Sequence, residues 1–310
     1  MSSMSSSTRD RTTRTYRATG INLRSKPSGE ADRLMTILTK EYGLIRVIAP
    51  SARKQKSSLS GRSGIFVVND LLIAQGKSMD KITQAESLQS FPKLSLDIRK
   101  LTAGQYLVEL ALQQALSEQS QESLYYLLLE HLDRLEASPV DRILPHLTHA
   151  IFQLLALAGV APQMYRCCLS GCALDPELGN PLWRAMFSVE AGGLVSVEAL
   201  REANIRHDRA DHSPDLLEET NGDGVIRVME RPMRIYNTRY IPRPVQLGAI
   251  QVSIMQQLAS SELPMLDLAA LPMGMTGDRA WLSIERLLRQ CAQYHFDRPI
   301  RSASLIDQVF

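Results

Sequence analysis

The chain has 310 residues, of which 44% are hydrophobic and 22% charged, and both proportions are ordinary for a folded protein. It has no apolar run of the roughly 18 to 20 residues that a membrane-spanning helix needs. Its four cysteines are too few for a disulfide framework. We therefore expect a cytoplasmic protein, in which residues 1–13 form a disordered polar arm.

The net charge of +2 is unevenly distributed along the chain. Residues 1–64 carry 13 Lys and Arg against 4 Asp and Glu, whereas the rest carries 22 against 29. A basic first fifth indicates a module that binds polyanions. The alternative is a basic surface that only keeps the protein in solution.

Residues 14–91 have the pattern of a small β-barrel. Gly-bearing turns separate five short stretches, several of them rich in Ile, Val and Leu, which we predict as strands: Tyr16–Arg24, Arg33–Thr39, Leu44–Ala49, Ile65–Ala74 and Lys81–Ser90. An OB-fold and an SH3-like barrel both fit this count, and counting does not separate them.

A basic segment, residues 50–64, lies between the third and fourth predicted strands. It carries Arg53, Lys54, Lys56 and Arg62, and no acidic residue occurs from Leu44 to Val68. Its Ser, Gly and Pro content predicts a flexible loop. Flexible cations around phosphates give affinity without sequence preference, because they release counterions. A loop that is merely hydrophilic is the alternative.

From residue 92 the pattern becomes helical, so we predict an α+β fold with a mostly helical domain over residues 92–310. The predicted helices are Leu96–Leu116, Ser123–Leu135, Val140–Ala158, Pro244–Ser260 and Ala280–Phe296. A loop-rich insertion at about 160–240 carries Cys167, Cys168 and Cys172, and residues 201–234 are predicted to be an irregular connection.

Two observations bear on catalysis and metals. The chain has no GxxxxGK[ST], GxGxxG, GxSxG or HExxH motif, so we predict that it is not an enzyme. His146 and His149 have a spacing that can bind metal. We interpret them as structural, because no Cys or carboxylate lies three or four residues from either, and a metal site needs three or four convergent ligands.

Several short segments occur in the order found in one protein family. They include Gly20–Arg24, Gly29–Arg33, Thr39–Gly43, Ala52–Lys54, Ala85–Pro92, Tyr165–Cys167, Phe187–Leu194 and Arg298–Ser302. Together they resemble the RecO family over roughly residues 15–305, least clearly over 200–235.

The resemblance implies an OB-fold at residues 14–91 and a recombination mediator in DNA repair. Such a protein binds single- and double-stranded DNA and anneals complementary strands. With RecR, it helps load RecA on strands coated with single-strand-binding protein (SSB), whose C-terminal tail it contacts, and it would be nucleoid-associated. An RNA-binding OB-fold protein, a non-catalytic adaptor and an enzyme with a site in the helical domain remain alternatives.

The predicted DNA-binding residues come from the basic first fifth of the chain: Arg24, Lys26, Arg46, Arg53, Lys54, Lys56 and Arg62. Before Phe91, the aromatic residues are Tyr16, Tyr42 and Phe66, and we expect Phe66 in the core. With so few rings for base stacking, phosphate contacts should dominate and binding should depend steeply on salt. For the SSB tail, Arg99, Arg134 and Arg142 are candidates among which we make no choice.

Many RecO proteins carry a CxxC pair and a second cysteine pair, a pattern typical of zinc. Here the corresponding positions are Cys167, Ser170, Ser196 and Ala199. Cys167, Cys168 and Cys172 are therefore weak metal candidates, alone or rearranged with Cys291 and a histidine. We expect no zinc or other cofactor, and buried or idle thiols instead.

Overall fold

The computed structural model describes residues 14–211, 244–264 and 276–310, with the backbone alone for 206–211. The predicted arm at 1–13 and residues 212–234 of the predicted connection lie outside these ranges. The strands are β1 (Thr15–Ser28), β2 (Asp32–Thr39), β3 (Gly43–Ala49), β4 (Val67–Ala74), β5 (Asp80–Ser90), β6 (Arg184–Ser188), β7 (Gly193–Val195) and β8 (Val245–Gly248). The helices are α1 (Ile98–Gln114), α2 (Glu122–Ala137), α3 (Ile143–Leu157), α4 (Val197–Asp211), α5 (Ala249–Gln257), α6 (Gly277–Phe296) and α7 (Ala303–Val309).

The described residues divide into two compact units. The first comprises residues 14–161 and 281–310, and therefore holds the barrel strands with helices α1 to α3, most of α6 and α7. The second lies within residues 162–280 and holds β6 to β8, α4 and α5. Among the described residues, no helix combines the length and the apolar character needed to cross a membrane.

The predicted barrel is confirmed, and its topology separates the two candidate folds. Strands β1 to β5 close in the order β1-β2-β3-β5-β4, and β3 pairs with β5 in parallel. The other neighbouring pairs are antiparallel. This Greek-key closure is that of an OB-fold. The barrel is filled by inward side chains such as Met35, Ile37 and Val47, each at most 1% exposed.

Two predictions about the barrel need correction. The segment 50–64 was predicted to be flexible, but hydrogen-bonded turns run along it, and Ala52 and Leu59 insert into the barrel core. The packing of this segment could not be predicted from the sequence, because two isolated apolar residues do not form a periodic hydrophobic pattern. Strand β4 also begins at Val67 and not at Ile65, because Phe66 has a φ of 61°. The ring of Phe66 is buried, as predicted.

The first three helices form a bundle, as predicted. Helix α1 starts at Ile98 because the carboxylate of Asp97 accepts the backbone N–H groups of Arg99 (2.8 Å) and Lys100 (3.2 Å). Helix α3 starts at Ile143, which places Pro145 in its first turn, where the missing N–H costs nothing.

Two helix predictions are wrong in part. Residues 245–248 form β8, which pairs with β6, so the helix predicted from Pro244 starts only at Ala249. The connection predicted as irregular begins inside α4, which extends to Asp211. In both places the local sequence is compatible with more than one secondary structure. Strand pairing or packing within the second unit determines which one forms.

An ion-pair cluster joins α6 to α7 within the first unit. Arg289 binds the carboxylate of Glu285 with two nitrogens, at 3.0 Å and 2.6 Å, and reaches Asp307 at 2.8 Å. Glu285 is fully buried, and burial raises the pKa of its carboxyl although Arg289 acts against this shift. At the start of α7, the Glu109 carboxylate accepts the N–H of Arg301 (3.0 Å) and of Ser302 (2.9 Å).

The turn between β2 and β3 fixes the barrel against the helices. The N–H of Leu44 donates to Leu116 O (2.8 Å), and the hydroxyl of Ser120 donates to Lys40 O (2.7 Å). Gly43 has a φ of +64°, and a Cβ there would lie 2.5 Å from Gln119 O and closer still to Leu116 O. Only glycine fits this approach.

We predict that Gly43→Ala lowers the free energy of unfolding by at least about 3 kcal/mol, since it adds a backbone clash to left-handed strain. Gly29→Ala is the matched control, because Gly29 has a φ of +59° and nothing within 4 Å of its added Cβ. It should cost about 1 kcal/mol. Urea unfolding of both variants measures the difference, and equal losses would contradict a barrel docked at Gly43.

Buried histidines lie in the bundle. His131 on α2 and His149 on α3 are 2% and 1% exposed, with ring centroids 5.6 Å apart. The pKa of His131 is lowered to about 3 and that of His146 to about 4, chiefly by burial and in the same direction by the charges of neighbouring histidines and arginines. Among the side chains that the structure describes, no three His, Cys, Asp or Glu converge as they would on a metal ion.

We predict that acid destabilises the protein through His131. Its pKa is depressed in the folded state, so the unfolded chain binds more protons between about pH 3 and its ordinary value of 6.5. Stability should then fall as the pH drops through this window, by up to about 1.4 kcal/mol per pH unit for one proton. His131→Phe should reduce the pH dependence measured by urea unfolding, and the part that remains should come from His146.

Candidate nucleic-acid interface

The outer face of the barrel carries two rows of residues in register across neighbouring strands. In the first row Arg24 on β1 pairs with Thr36 on β2, which pairs with Arg46 on β3. Residues in register point to the same side of a sheet, and strands lie about 4.8 Å apart. The two arginines therefore stand about 10 Å apart on one face, and both are exposed.

The second row starts two residues further along β1, about 7 Å away. Lys26 pairs with Leu34, Leu34 with Ile48, and Ile48 with Lys81 on β5. Lys26 and Lys81 are exposed, and the two apolar residues between them are half-buried. Arg24, Arg46, Lys26 and Lys81 thus form what we call the cationic face.

Lys81 is absent from the sequence-based prediction. It lies in a polar stretch with no cluster of basic residues around it, so its composition carries no signal. It joins the cationic face only because β5 pairs in parallel with β3, a contact between residues far apart in the chain.

The acidic side chains near this face are mostly engaged. The carboxylate of Asp32 accepts the N–H of Ser51 (2.7 Å), and that of Asp80 accepts the hydroxyl of Tyr16 (2.8 Å) and the N–H of Gly76 (3.0 Å). Glu30 is exposed in the turn between β1 and β2. Among the residues that the structure describes, the ion pairs of the barrel join Arg17 to Asp70 and Lys40 to Glu41, and do not include the four cations of the face. The charge of Arg24 does act on Glu109 of α1, where it helps to lower the pKa of that carboxyl.

The predicted loop cations lie at the end of the barrel nearest this turn. Arg53 donates its backbone N–H to Ala31 O (2.8 Å) and its guanidinium to Gly29 O (3.0 Å), which ties it to the turn between β1 and β2. Lys54 and Lys56 follow it and are exposed. They extend the basic surface from the end of β3.

Arg62 is placed differently from the other predicted cations. Its carbonyl accepts the side-chain amides of Asn22 (2.7 Å) and Asn69 (3.0 Å), beside β1 and β4. Its guanidinium donates to Ser58 O (2.7 Å) within the same loop. The structure therefore does not bring Arg62 into the two rows.

The cysteine segment in the second unit was the other candidate site. The Sγ of buried Cys167 accepts the backbone N–H of Ser170 (3.4 Å) and of Ser196 (3.3 Å). The hydroxyl of Ser196 accepts the N–H of Ala199 (3.1 Å) at the start of α4. In each turn a backbone N–H therefore donates to the side chain three residues earlier, to the Cys167 sulfur in the first turn and to the Ser196 hydroxyl in the second.

These residues do not fit zinc. Three of the four family positions lack a thiol, and structural zinc needs four ligands. Cys168 is half-buried and Cys172 exposed, and the hydroxyl of Ser170 lies 3.0 Å from the Cys172 sulfur. Burial acts to raise the pKa of Cys167, but hydrogen bonds from Ser170 and Ser196 outweigh it and lower that pKa to about 7. Hydrogen bonds therefore stabilise this segment.

We predict that Ser170→Cys/Ser196→Cys/Ala199→Cys creates a zinc site, because the backbone already turns toward Cys167. The triple variant should bind zinc in equal molar amount and lose thermal stability when chelator is added. The natural chain should show neither effect. The same three changes combined with Cys167→Ala are the control, and zinc binding by that protein would contradict the proposed convergence.

Comparison with known proteins identifies the family. Residues 13–91 match the family described as "Recombination protein O N terminal", and residues 95–212 match "Recombination protein O C terminal". A protein of Nostoc punctiforme is 47% identical over 96% of this chain and 97% of its own length. Proteins of Nostoc sp. PCC 7120 and Gloeothece citriformis are each 46% identical over 96% of this chain and 97% and 98% of their own lengths.

All three relatives are named "DNA repair protein RecO", a name that describes a repair protein and not an enzyme. Both family matches, which together cover the barrel and the helices up to α4, agree with that name. The chain therefore belongs to the RecO family of DNA repair proteins.

Proposed function

We propose that this protein is a recombination mediator that binds DNA through the cationic face and the neighbouring loop cations Arg53, Lys54 and Lys56. It anneals complementary single strands and, with RecR, helps load RecA on strands coated with SSB. The observation that carries the DNA-binding part is the alignment of Arg24, Lys26, Arg46 and Lys81 in two rows.

The two rows suit a phosphate backbone better than a base sequence. Guanidinium and ammonium groups bind phosphates without reading bases, and they release the counterions that surround the strand. Annealing requires two polyanions to approach, and bound cations reduce their mutual repulsion. A face that leaves the base edges free permits the second strand to pair with the first.

The partner proteins come from the family resemblance. An acidic SSB tail would need an apolar pocket edged by arginine or lysine. Of the three arginines considered, Arg134 lies within 2.5 Å of Glu130, and Arg99 lies 5.8 Å from the centre of the Phe310 ring. Arg142 is exposed at the start of α3. RecR and the RecA filament are proposed as partners without an assigned surface.

We predict that Arg24→Gln/Arg46→Gln weakens binding to single-stranded DNA and reduces its salt dependence. Two lost phosphate contacts should lower the slope of log K against log salt by about 1.4. Fluorescence anisotropy across a salt series measures this slope. Arg17→Gln is the matched control, because Arg17 is exposed on the same strand but pairs with Asp70 (3.2 Å) and lies in register with β4.

The same variants test annealing of complementary strands coated with SSB. The natural protein and Arg17→Gln should accelerate annealing, and the double variant should do so less, most clearly at low salt. An RNA-binding protein would bind RNA in preference and fail on SSB-coated DNA. An adaptor would keep its activity in the double variant, and either result would reject the proposal.

A further inference from the structure

An exposed aromatic ring lies in a groove that continues the cationic face. The groove has a volume of about 620 Å³ and is lined by residues that include Tyr42, Tyr16, Arg46, Asp80 and Glu118. Arg46 belongs both to this groove and to the first cationic row. A strand bound along that row would therefore pass beside the groove.

Tyr42 is held in a defined orientation. Its ring packs edge-on against Tyr16, with centroids 5.1 Å apart and planes at 72°, and it remains 40% exposed. The hydroxyl of Tyr16 is bound to Asp80. The N–H of Tyr42 donates to the Thr39 hydroxyl (3.1 Å), which donates to Gly43 O (2.8 Å).

The charges in the groove favour a base over a phosphate. Both carboxylate oxygens of Asp80 are hydrogen-bonded, to Tyr16 and Gly76. Glu118 is exposed, and a carboxylate repels phosphates but accepts hydrogen bonds from the amino groups of bases. Phosphates would therefore remain near Arg46, and a base would be the part of the nucleotide that enters the groove.

We propose that Tyr42 is a stacking platform for an unpaired nucleobase of single-stranded DNA bound to the cationic face. This inference rests on the proposed DNA-binding function and adds to it a contact that double-stranded DNA cannot make, because its bases are already stacked. An aromatic ring accepts any base, so the site adds affinity for single strands without sequence preference.

A double-mutant cycle tests the stacking contact. Binding of the full-length protein and of Tyr42→Ala would be measured on oligothymidylate and on a fully abasic strand of equal length. Tyr42→Ala should weaken binding to oligothymidylate about tenfold, in the range found for one stacked base. The substitution should change the affinity for the abasic strand and for duplex DNA by less than about twofold. The slope of log K against log salt should be unchanged.

Further variants separate stacking from folding. Tyr42→Phe keeps the ring and should bind as the natural protein does, whereas Tyr42→Leu keeps apolar bulk and should lose affinity like Tyr42→Ala. Tyr126→Ala is the matched control, because Tyr126 is 51% exposed and packs edge-on against Tyr125 with centroids 5.2 Å apart. It should bind normally.

The outcomes distinguish this inference from the function on which it rests. If Tyr42→Ala lost the same affinity for oligothymidylate, the abasic strand and duplex DNA, the stacking role would be overturned. Normal binding by Tyr42→Ala, combined with weak binding by Arg24→Gln/Arg46→Gln, would overturn the inference alone. Absence of DNA binding by the natural protein would overturn both. An equal effect of Tyr42→Ala on oligouridylate would support stacking of any unpaired base.

Discussion

The parallel pairing of β3 with β5 is the contact on which both the barrel and its candidate interface depend. It closes the sheet and aligns Ile48 with Lys81 and Val47 with Asp80. The first alignment completes the second row of the cationic face. The second places the Asp80 carboxylate at the hydroxyl of Tyr16, which in turn supports Tyr42. One short pairing therefore positions both Lys81 of the proposed phosphate-binding face and the exposed ring of Tyr42.

The charges of the barrel are arranged by hydrogen bonding as much as by composition. The carboxylates of Asp32 and Asp80 accept hydrogen bonds from backbone N–H groups and from the Tyr16 hydroxyl. The turn at Gly43, at the end of β2 and β3 opposite Asp32, holds the barrel against the loop between α1 and α2. The proposed interface therefore lies on strands and turns that are hydrogen-bonded on several sides, and strand binding there would require little ordering of the backbone.

Hydrogen bonds to side chains order the two turns of the cysteine segment. The sulfur of Cys167 accepts two backbone N–H groups, and the hydroxyl of Ser196 accepts a third. These acceptors stabilise the turns, because they satisfy backbone N–H groups that would otherwise be left without a hydrogen bond. We propose that this segment folds without a bound metal ion.

The sequence by itself determined the class of fold, the barrel and bundle segments, and the basic character of the first fifth. These follow from local periodicity, turn residues and composition, which a single chain displays directly. It also identified Arg24, Lys26 and Arg46 as candidate DNA-binding residues from their positive charge. It did not predict how they are arranged on the barrel. Residues 245–248 show the limit, because their strand depends on pairing with β6.

Only the tertiary structure decided which of these residues meet. Lys81 lies on the cationic face because it pairs with Ile48, which is far away in the chain. Arg62 lies outside this face because its backbone carbonyl is hydrogen-bonded to Asn22 and Asn69. The loop predicted to be flexible is instead anchored to the barrel, because Ala52 and Leu59 pack into its core. Contacts between distant segments set the register of the strands, the closure of the barrel and the burial of side chains. No local sequence pattern predicts these contacts.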